Sequence, residues 1–300
     1  MSAGRGGTGV TVAVATCDRP DALARCLAAL AEGTLHPREV IVVDQGASER
    51  ARAIVGASGV PAARYVEQPR LGLSASRNLA LAGATGAVLA VTDDDCVPAA
   101  GWVAAVAAAF ERSPVPAAVT GPIMTLGPRP RRGHAISLRS SPDAQDFSGR
   151  MLPWDAGSGA NFAATRSLLL AQGGWDERLG VGSPGKAAED ADLLYRILRS
   201  GAVVRYDPAV VVHHDWQTWD RRLQTRSSYA HGVGALCGLW LRRRDPYALR
   251  MLLAYGRLHT TRLATATRQR DRGRVAEHSR ALRGVLPGLI YGLRAGGRSS

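Results

Sequence analysis

The sequence predicts an α/β protein: a mainly parallel mixed sheet between helices, followed by a helical C-terminal extension. Three observations lead there. Between residues 10 and 110, short continuous apolar runs alternate with segments of helical period, and a run apolar on both sides describes a strand covered on both faces. Polar clusters fall directly after those runs, where sheets of this kind bind ligands beyond the carboxyl ends of their strands. Beyond Trp216 the apolar residues take helical spacing.

Residues 10–15 (VTVAVA) are the first β-prone run. From Pro20 onward Leu23, Cys26, Leu27 and Leu30 recur at helical spacing, with proline at the helix start, where its missing N–H costs nothing. Residues 40–43 predict a strand, 63–66 a weaker one, 73–84 a helix, 87–91 a strand and 102–110 a helix. Residues 125–156, rich in Pro, Gly, Arg and Ser and without a sustained period, predict a long excursion or lid. Structure is expected to resume at 157–162, with helices at 166–171 and about 187–199 and short strands at 203–206 and 210–212. The remainder is helix-compatible despite Pro287, and no internal repeat is evident.

With 46% hydrophobic and 21% charged residues the chain is not mainly disordered. Its net charge of +13 is unevenly placed. Residues 1–215 carry 21 basic and 21 acidic side chains, whereas residues 216–300 carry 17 and 4. This divides the chain into an expected catalytic domain, 1–215, and a basic, mostly helical region, 216–300. The neutral part suits a metal and a small anion; the Arg-rich part suits an extended anionic surface, a membrane leaflet or nucleic acid. Cys17, Cys26, Cys96 and Cys237 lack zinc-ligand spacing and imply a reducing compartment. Without a signal-type apolar region or an 18-residue apolar stretch, a cytoplasmic location is expected, with peripheral contact at the inner face of the membrane. Neither GxGxxG nor GxxxxGK[ST] occurs, which argues against a dehydrogenase or a P-loop ATPase.

Asp93, Asp94 and Asp95, directly after the run AVLAV, are the strongest single signal. Adjacent carboxylates repel unless solvent or a cation compensates, and Mg²⁺ accepts one or two carboxylates together with substrate phosphates. The alternative is a solvated acidic turn. Asp18 and Asp44 read either as turn caps or as acceptors for N–H and ribose hydroxyl groups. Arg77 and Asn78 lie in a helical stretch, as surface residues or with Arg77 reaching a diphosphate. In the helix at 187–199, Leu194, Ile197 and Leu198 form an apolar face with Glu189, Asp192, Arg196 and Arg199 opposite. Asp190 borders the apolar stripe, either as a first-turn charge favoured by the helix amides or as a general base. Trp154 and Trp175 read as acceptor platforms or core anchors. His213 and His214 follow VVV, so strand alternation turns one of them at most toward the site.

The segments TCDRP (16–20), IVVDQGAS (41–48), GLSASRN (72–78), TDDDC (92–96), GSGANF (157–162), GGWDE (173–177) and EDADL (189–193), in this order, resemble family 2 glycosyltransferases of the GT-A fold. The resemblance spans about residues 10–216. It implies a divalent cation, Mg²⁺ or Mn²⁺, a nucleotide-diphosphate sugar as donor, and a hydroxyl-bearing acceptor. By this resemblance Thr16, Asp18, Arg19 and Asp44 would contact the nucleotide, and Arg77 would lie near the donor. Asp95 would bind the metal with Asp93 and Asp94 in support, and His213 or His214, with His213 taken first, would close over it. Asp190 would be the base of an inverting transfer with Glu189 as its partner, and Trp154, Gly159, Asn161 and Trp175 would stand on the acceptor side. The QxxRW element of polymer synthases is absent, residues 216–222 reading WQTWDRR, so transfer of a single sugar is implied.

The Arg-rich region, including Arg242, Arg243 and Arg244, suggests contact with anionic lipid or a lipid-linked acceptor, or alternatively a solvated helical face and homodimer surface. A non-catalytic nucleic-acid-binding protein is the rival from another class; the region lacks a recognition motif, so nucleic acid is not the expected partner. A metal-dependent nucleotidyltransferase is the nearer rival.

Overall fold

The computed structural model describes residues 9–131, 133–135 and 138–296. In chain order its elements begin β1 (Val10–Thr16), α1 (Pro20–Ala31), β2 (Glu39–Asp44), α2 (Glu49–Gly56), β3 (Ala63–Glu67), α3 (Leu73–Gly83) and β4 (Val88–Asp93). There follow β5 (Cys96–Pro98), α4 (Trp102–Phe110), β6 (Ala118–Thr120), β7 (Ile123–Thr125), β8 (Gln145–Phe147), α5 (Pro153–Ala156), β9 (Asn161–Thr165) and α6 (Arg166–Ala171). The last are α7 (Glu189–Arg199), β10 (Val204–Tyr206), β11 (Val212–His214), α8 (Trp219–Arg242), α9 (Tyr247–Arg268) and α10 (Arg272–Arg294).

Strands β3, β2, β1 and β4 run parallel, and β9, β6, β10 and β8 extend the same sheet in that order. β9 is antiparallel to both neighbours, so the sheet is mixed as expected. The continuous apolar runs are explained by two cores on opposite faces. Val12, Val14, Val40 and Val42 pack with Leu23, Leu27 and Val106, whereas Ala13, Ile41, Val43 and Val91 pack with Leu81, Leu169 and Leu193. Successive side chains feed alternate faces, and both are buried. Across β1, Thr16 stands beside Asp44 and Ala15 beside Asp93, which brings three polar clusters to one edge.

A small sheet, β5–β11–β7, flanks that edge. Its strand β11 lies two residues later than predicted, because His213 and His214 pair with Val97 and Cys96 rather than following the strand. The excursion at 125–156 contains β8 and α5 and is tied by a bridge between His134 and Gln217.

Helices α8 to α10 pack on α7 and build a third core, in which Ala191 and Tyr195 meet Ala230, Leu236, Trp240 and Met251. α8 and α10 approach backbone to backbone. A Cβ at Gly288 would lie 1.9 Å from the His231 carbonyl oxygen and one at Gly292 2.2 Å from that of Ala235, so only glycine permits this spacing. The polar face predicted for α7 is corrected by the same packing: Glu189, Asp192 and Arg196 are buried. Trp240 Nε1 and Arg196 Nε donate to the two oxygens of Asp192 at 2.9 and 2.8 Å, while Arg199 stays exposed and pairs with Asp245. No helix among the described residues is long and apolar enough to cross a membrane.

Candidate active site

The site forms where β1, β2 and β4 end. Thr16, buried at the end of β1, donates its hydroxyl to Asp94 Oδ2 at 2.7 Å. Arg19, at the mouth of α1, places Nη2 2.7 Å from Asp94 Oδ1 and Nη1 2.5 Å from Asp95 Oδ2. Burial pushes the Asp94 carboxyl up to about 7 against the pull of Arg19, and Asp95 adds to the rise. Thr16 and Arg19 therefore hold the acidic element itself.

Asp44 is fully buried, and both its oxygens are committed. Oδ1 accepts the Gly46 amide at 2.8 Å, while Oδ2 accepts the Ser48 amide at 2.9 Å and the Tyr65 hydroxyl at 2.8 Å. Of about four acceptor positions one is left for a ligand. Asp18 is exposed, adopts a left-handed φ of 56°, and accepts from Arg70 Nη2 at 2.5 Å. A Cβ at Gly46 would lie 2.7 Å from Asp18 Oδ1 and 3.2 Å from Asp44 Oδ1, so the two carboxylates converge only because that residue is glycine.

Asp93, Asp95, Cys96 and His214 each bring one ligand atom within 4.8 Å of the others. His214 Nε2 lies 3.5 Å from Asp95 Oδ1. His214 thus replaces His213 as the metal-ligating candidate: the pairing of β11 with β5 sets His214 opposite Cys96, and alternation turns His213 to the other face. Burial raises the Cys96 thiol well above its usual range, and beside it stand two carboxylates and an imidazole. That donor set suits Mg²⁺ or Mn²⁺.

Arg77, 3% exposed, corrects another expectation. Its Nη1 donates to Glu189 Oε1 at 2.9 Å, and its Nη2 to Asp93 Oδ1 at 3.0 Å and the Gly159 carbonyl at 3.3 Å. It ties the metal element to the start of α7 instead of offering a free fork to a diphosphate. Burial and the neighbouring Asp190 raise the Glu189 carboxyl, against the opposing charge of Arg77. Asp190 is half-buried. Its Oδ2 accepts the Gly159 amide at 2.8 Å and its Oδ1 the Ala191 amide at 2.7 Å. Ala188, with a left-handed φ of 71°, turns the chain into α7 and so aims both acids.

A cavity of about 480 Å³ joins these parts, lined by Asp93 and His214, by Glu189 and Asp190, and by Gly159 and Trp154. Two expected acceptor residues lie outside it. Asn161 is fully buried and spans the loops, donating to the Pro122 and Val210 carbonyls at 2.9 and 2.6 Å while accepting from Trp102 Nε1 at 2.9 Å. Trp175, 3% exposed, packs edge-on to Phe162 and is stapled to α3 by Asn78, which donates to its carbonyl and accepts its amide. A further part of the wall went unpredicted: Arg226, Tyr229 and Val233 of α8 and Tyr255, His259 and Arg262 of α9. Their sequence spacing of three and four does place each set on one helix face. Which face meets the cavity depends on how the helices dock.

Comparison with known proteins agrees with this geometry. The family model for glycosyl transferase family 2 matches residues 11–169. The pre-mycofactocin glycosyltransferase of Mycobacterium tuberculosis (strain ATCC 25618 / H37Rv) is 31% identical over 169 residues, 55% of this chain and 34% of that protein. The chain thus spans about a third of the length of that relative. The succinoglycan biosynthesis protein ExoM of Rhizobium meliloti (strain 1021) is 28% identical over 242 residues, 74% of each chain. Among solved structures, the mannosyltransferase PcManGT from Pyrobaculum calidifontis in complex with GDP-Man and Mn²⁺ superimposes with a TM-score of 0.61 at 19% identity, covering 97% of this chain and 88% of that one. S. aureus TarS (residues 1–349) in complex with UDP gives 0.56 at 15% identity, with 92% and 90% covered. At these identities the structural likeness is one of fold, and that fold is GT-A-like.

Proposed function

This chain belongs to glycosyl transferase family 2, and from that premise we propose that it transfers a single sugar from a nucleotide-diphosphate sugar to an acceptor hydroxyl with inversion at the anomeric carbon. The observation that carries the reading is one cavity bounded both by Asp93 and His214, two members of the cluster that also includes Asp95, and by Asp190.

Asp190 takes the proton of the acceptor hydroxyl, whose oxygen bonds to the anomeric carbon as the bond from that carbon to the diphosphate breaks. The nucleoside diphosphate leaves with the bonding electrons. The Gly159 and Ala191 amides donate to the two Asp190 oxygens and so orient the carboxylate. Arg77 and Glu189 fix the distance between the donor and acceptor sides. Asp93, Asp95 and His214 would hold Mg²⁺ or Mn²⁺, which when bound neutralises charge developing on the departing diphosphate. Asp18 and Asp44 line the nucleotide end.

The test is a screen of UDP-, GDP- and dTDP-sugars, with and without Mg²⁺ or Mn²⁺, for binding and slow donor hydrolysis. Metal-dependent binding abolished by Asp95→Ala is the expected result. Failure of every nucleotide sugar to bind in the presence of metal would overturn the reading, and release of pyrophosphate in place of a nucleoside diphosphate would make the protein a nucleotidyltransferase.

For the basic helices the reading is peripheral contact with an anionic cytoplasmic leaflet, consistent with a lipid-linked acceptor. Leu249 and Leu253 on α9, and Leu286, Ile290 and Leu293 on α10, are exposed at helical spacing among arginines. That arrangement suits an interfacial helix.

A further inference from the structure

The wall built by α8 and α9 carries positive charge that transfer to a hydroxyl does not by itself require. Arg226 is anchored, with Nε and Nη2 donating to Glu277 Oε1 at 3.1 and 2.8 Å. Arg222 Nη2 lies 2.9 Å from the same oxygen. One buried carboxylate therefore answers two guanidinium groups. Arg262, exposed at the rim, makes no ion pair among the described residues and adds a further positive charge.

Among the described residues of α8 and α9 that line the cavity, none carries a negative charge. Burial, together with Arg226, His278 and Arg262, lowers His259 to about 4, and its Nδ1 faces that of His278 at 3.1 Å, a contact two neutral rings can make. Tyr255 is 8% exposed. Its buried hydroxyl lies beside the Arg226 guanidinium and has no other hydrogen-bond partner among the described residues. A buried hydroxyl in a cavity wall beside one arginine that shares its carboxylate with Arg222 and another that has none has the donors an oxyanion needs. The cavity's carboxylates, Asp93, Glu189 and Asp190, come from β4 and α7 and have Arg77 bound among them, whereas the part of the wall built by α8 and α9 carries no carboxylate.

Resting on the glycosyltransferase reading above, we infer that the acceptor is itself anionic: it carries a phosphate or carboxylate that Arg226, Arg262 and the Tyr255 hydroxyl hold while its own hydroxyl reaches Asp190. Trp154, Val233 and Leu258 offer an apolar bed for the part of the molecule between those two groups. Like-charge repulsion from the α7 carboxylates turns the anion away and presents the hydroxyl, which makes the wall an orienting device. Because Glu277 already fixes Arg226, binding does not have to order that side chain.

The full chain would be titrated in metal-free buffer, where the cation site does not capture phosphate, with phenyl phosphate, benzoate and benzyl alcohol by ligand-observed NMR. The expected result is that an anion binds about tenfold more tightly than the alcohol, as charge-assisted hydrogen bonds predict. Arg262→Gln should remove most of that difference and leave benzyl alcohol unchanged, and Tyr255→Phe should weaken the anion several-fold. Arg262 is exposed and unpaired, so its variant is expected to fold, which its melting curve checks. The preference between phosphate and benzoate arms tells which oxyanion the acceptor carries. Anions that bind no better than the alcohol, or that bind Arg262→Gln as well as the parent, would overturn the inference. Donor binding with Mn²⁺ is measured separately on the same preparation: loss of anion binding alone removes this inference, whereas loss of donor binding removes the glycosyltransferase reading.

Discussion

Two side chains carry contrasting roles at the centre of the site. Asp190 is oriented by two backbone amides, so Asp190→Asn keeps its shape and one of the two acceptors while removing the carboxylate. The variant should bind donor like the parent and lose about 10²- to 10⁴-fold in transfer, the usual contribution of a general base. Single-turnover measurements at saturating donor read this out, and transfer at the parent rate would mean that another residue is the base. Arg77 acts by holding others. Removing its charge with Arg77→Met strands Glu189 and Asp93, and breaking a buried ion pair in this way costs about 3–5 kcal/mol. Thermal melting should show a large loss, which Arg77→Lys restores only in part, because an ammonium cannot reproduce a fork that spans Glu189, Asp93 and the Gly159 carbonyl. The sequence places Arg77 in a helical stretch, but its committed donors are visible only once α3, β4 and α7 are assembled. His214 illustrates the same limit: alternation says that one of the two histidines faces the site, and the register with β5 decides which.

At the level of elements, the C-terminal helices hold a titrating pair. His259, which lines the cavity, is 2% exposed, and His278 is buried against it, with Arg222, Arg226, Arg262 and Glu277 as charged neighbours of the pair. The folded pKa of His259, about 4, lies below its ordinary 6.5, so the unfolded chain binds more protons between those values. Stability is therefore full above pH 6.5 and falls as pH drops toward 4, by on the order of 3 kcal/mol for a shift of this size. Denaturant midpoints measured across that window should show the slope, and His259→Gln should flatten it. A slope unchanged in the variant would locate the titration elsewhere. α8 and α10 also show why element lengths are easier to read than their contacts. Apolar spacing signals helices there, whereas the backbone contact at Gly288 and Gly292 depends on which faces meet, and only the packed pair reveals that these glycines are required.

For the molecule as a whole, charge is segregated: a balanced N-terminal part and a region of 17 basic and 4 acidic residues after residue 215. If that region rests on an anionic leaflet, the protein should sediment with phosphatidylglycerol-containing vesicles at low salt and be released as ionic strength shortens the Debye length. Replacing Leu253 and Leu286 with glutamate should abolish co-sedimentation without unfolding, since both side chains are exposed. Absence of binding to anionic vesicles at low salt would remove the membrane proposal. The same region has a second place in the molecule, because α8 and α9 pack on α7 and line the cavity that Asp190 faces. By itself the amino-acid sequence determined the order of the longer strands and helices, though not α2, α5 or the short strands β5 to β8, together with the burial of the sheet on both faces and the edge where Asp18, Asp44, Asp93 and Asp95 gather, because periodicity and turn chemistry are local and strand ends of a parallel sheet share one edge. Tertiary structure alone decided that His214 rather than His213 joins the carboxylates, that Arg77 and Asn161 are bound up in the scaffold, and that arginines from the last helices wall the cavity. Those outcomes depend on register and docking between segments far apart in the chain, and the free energy that selects them resides in contacts no single segment contains.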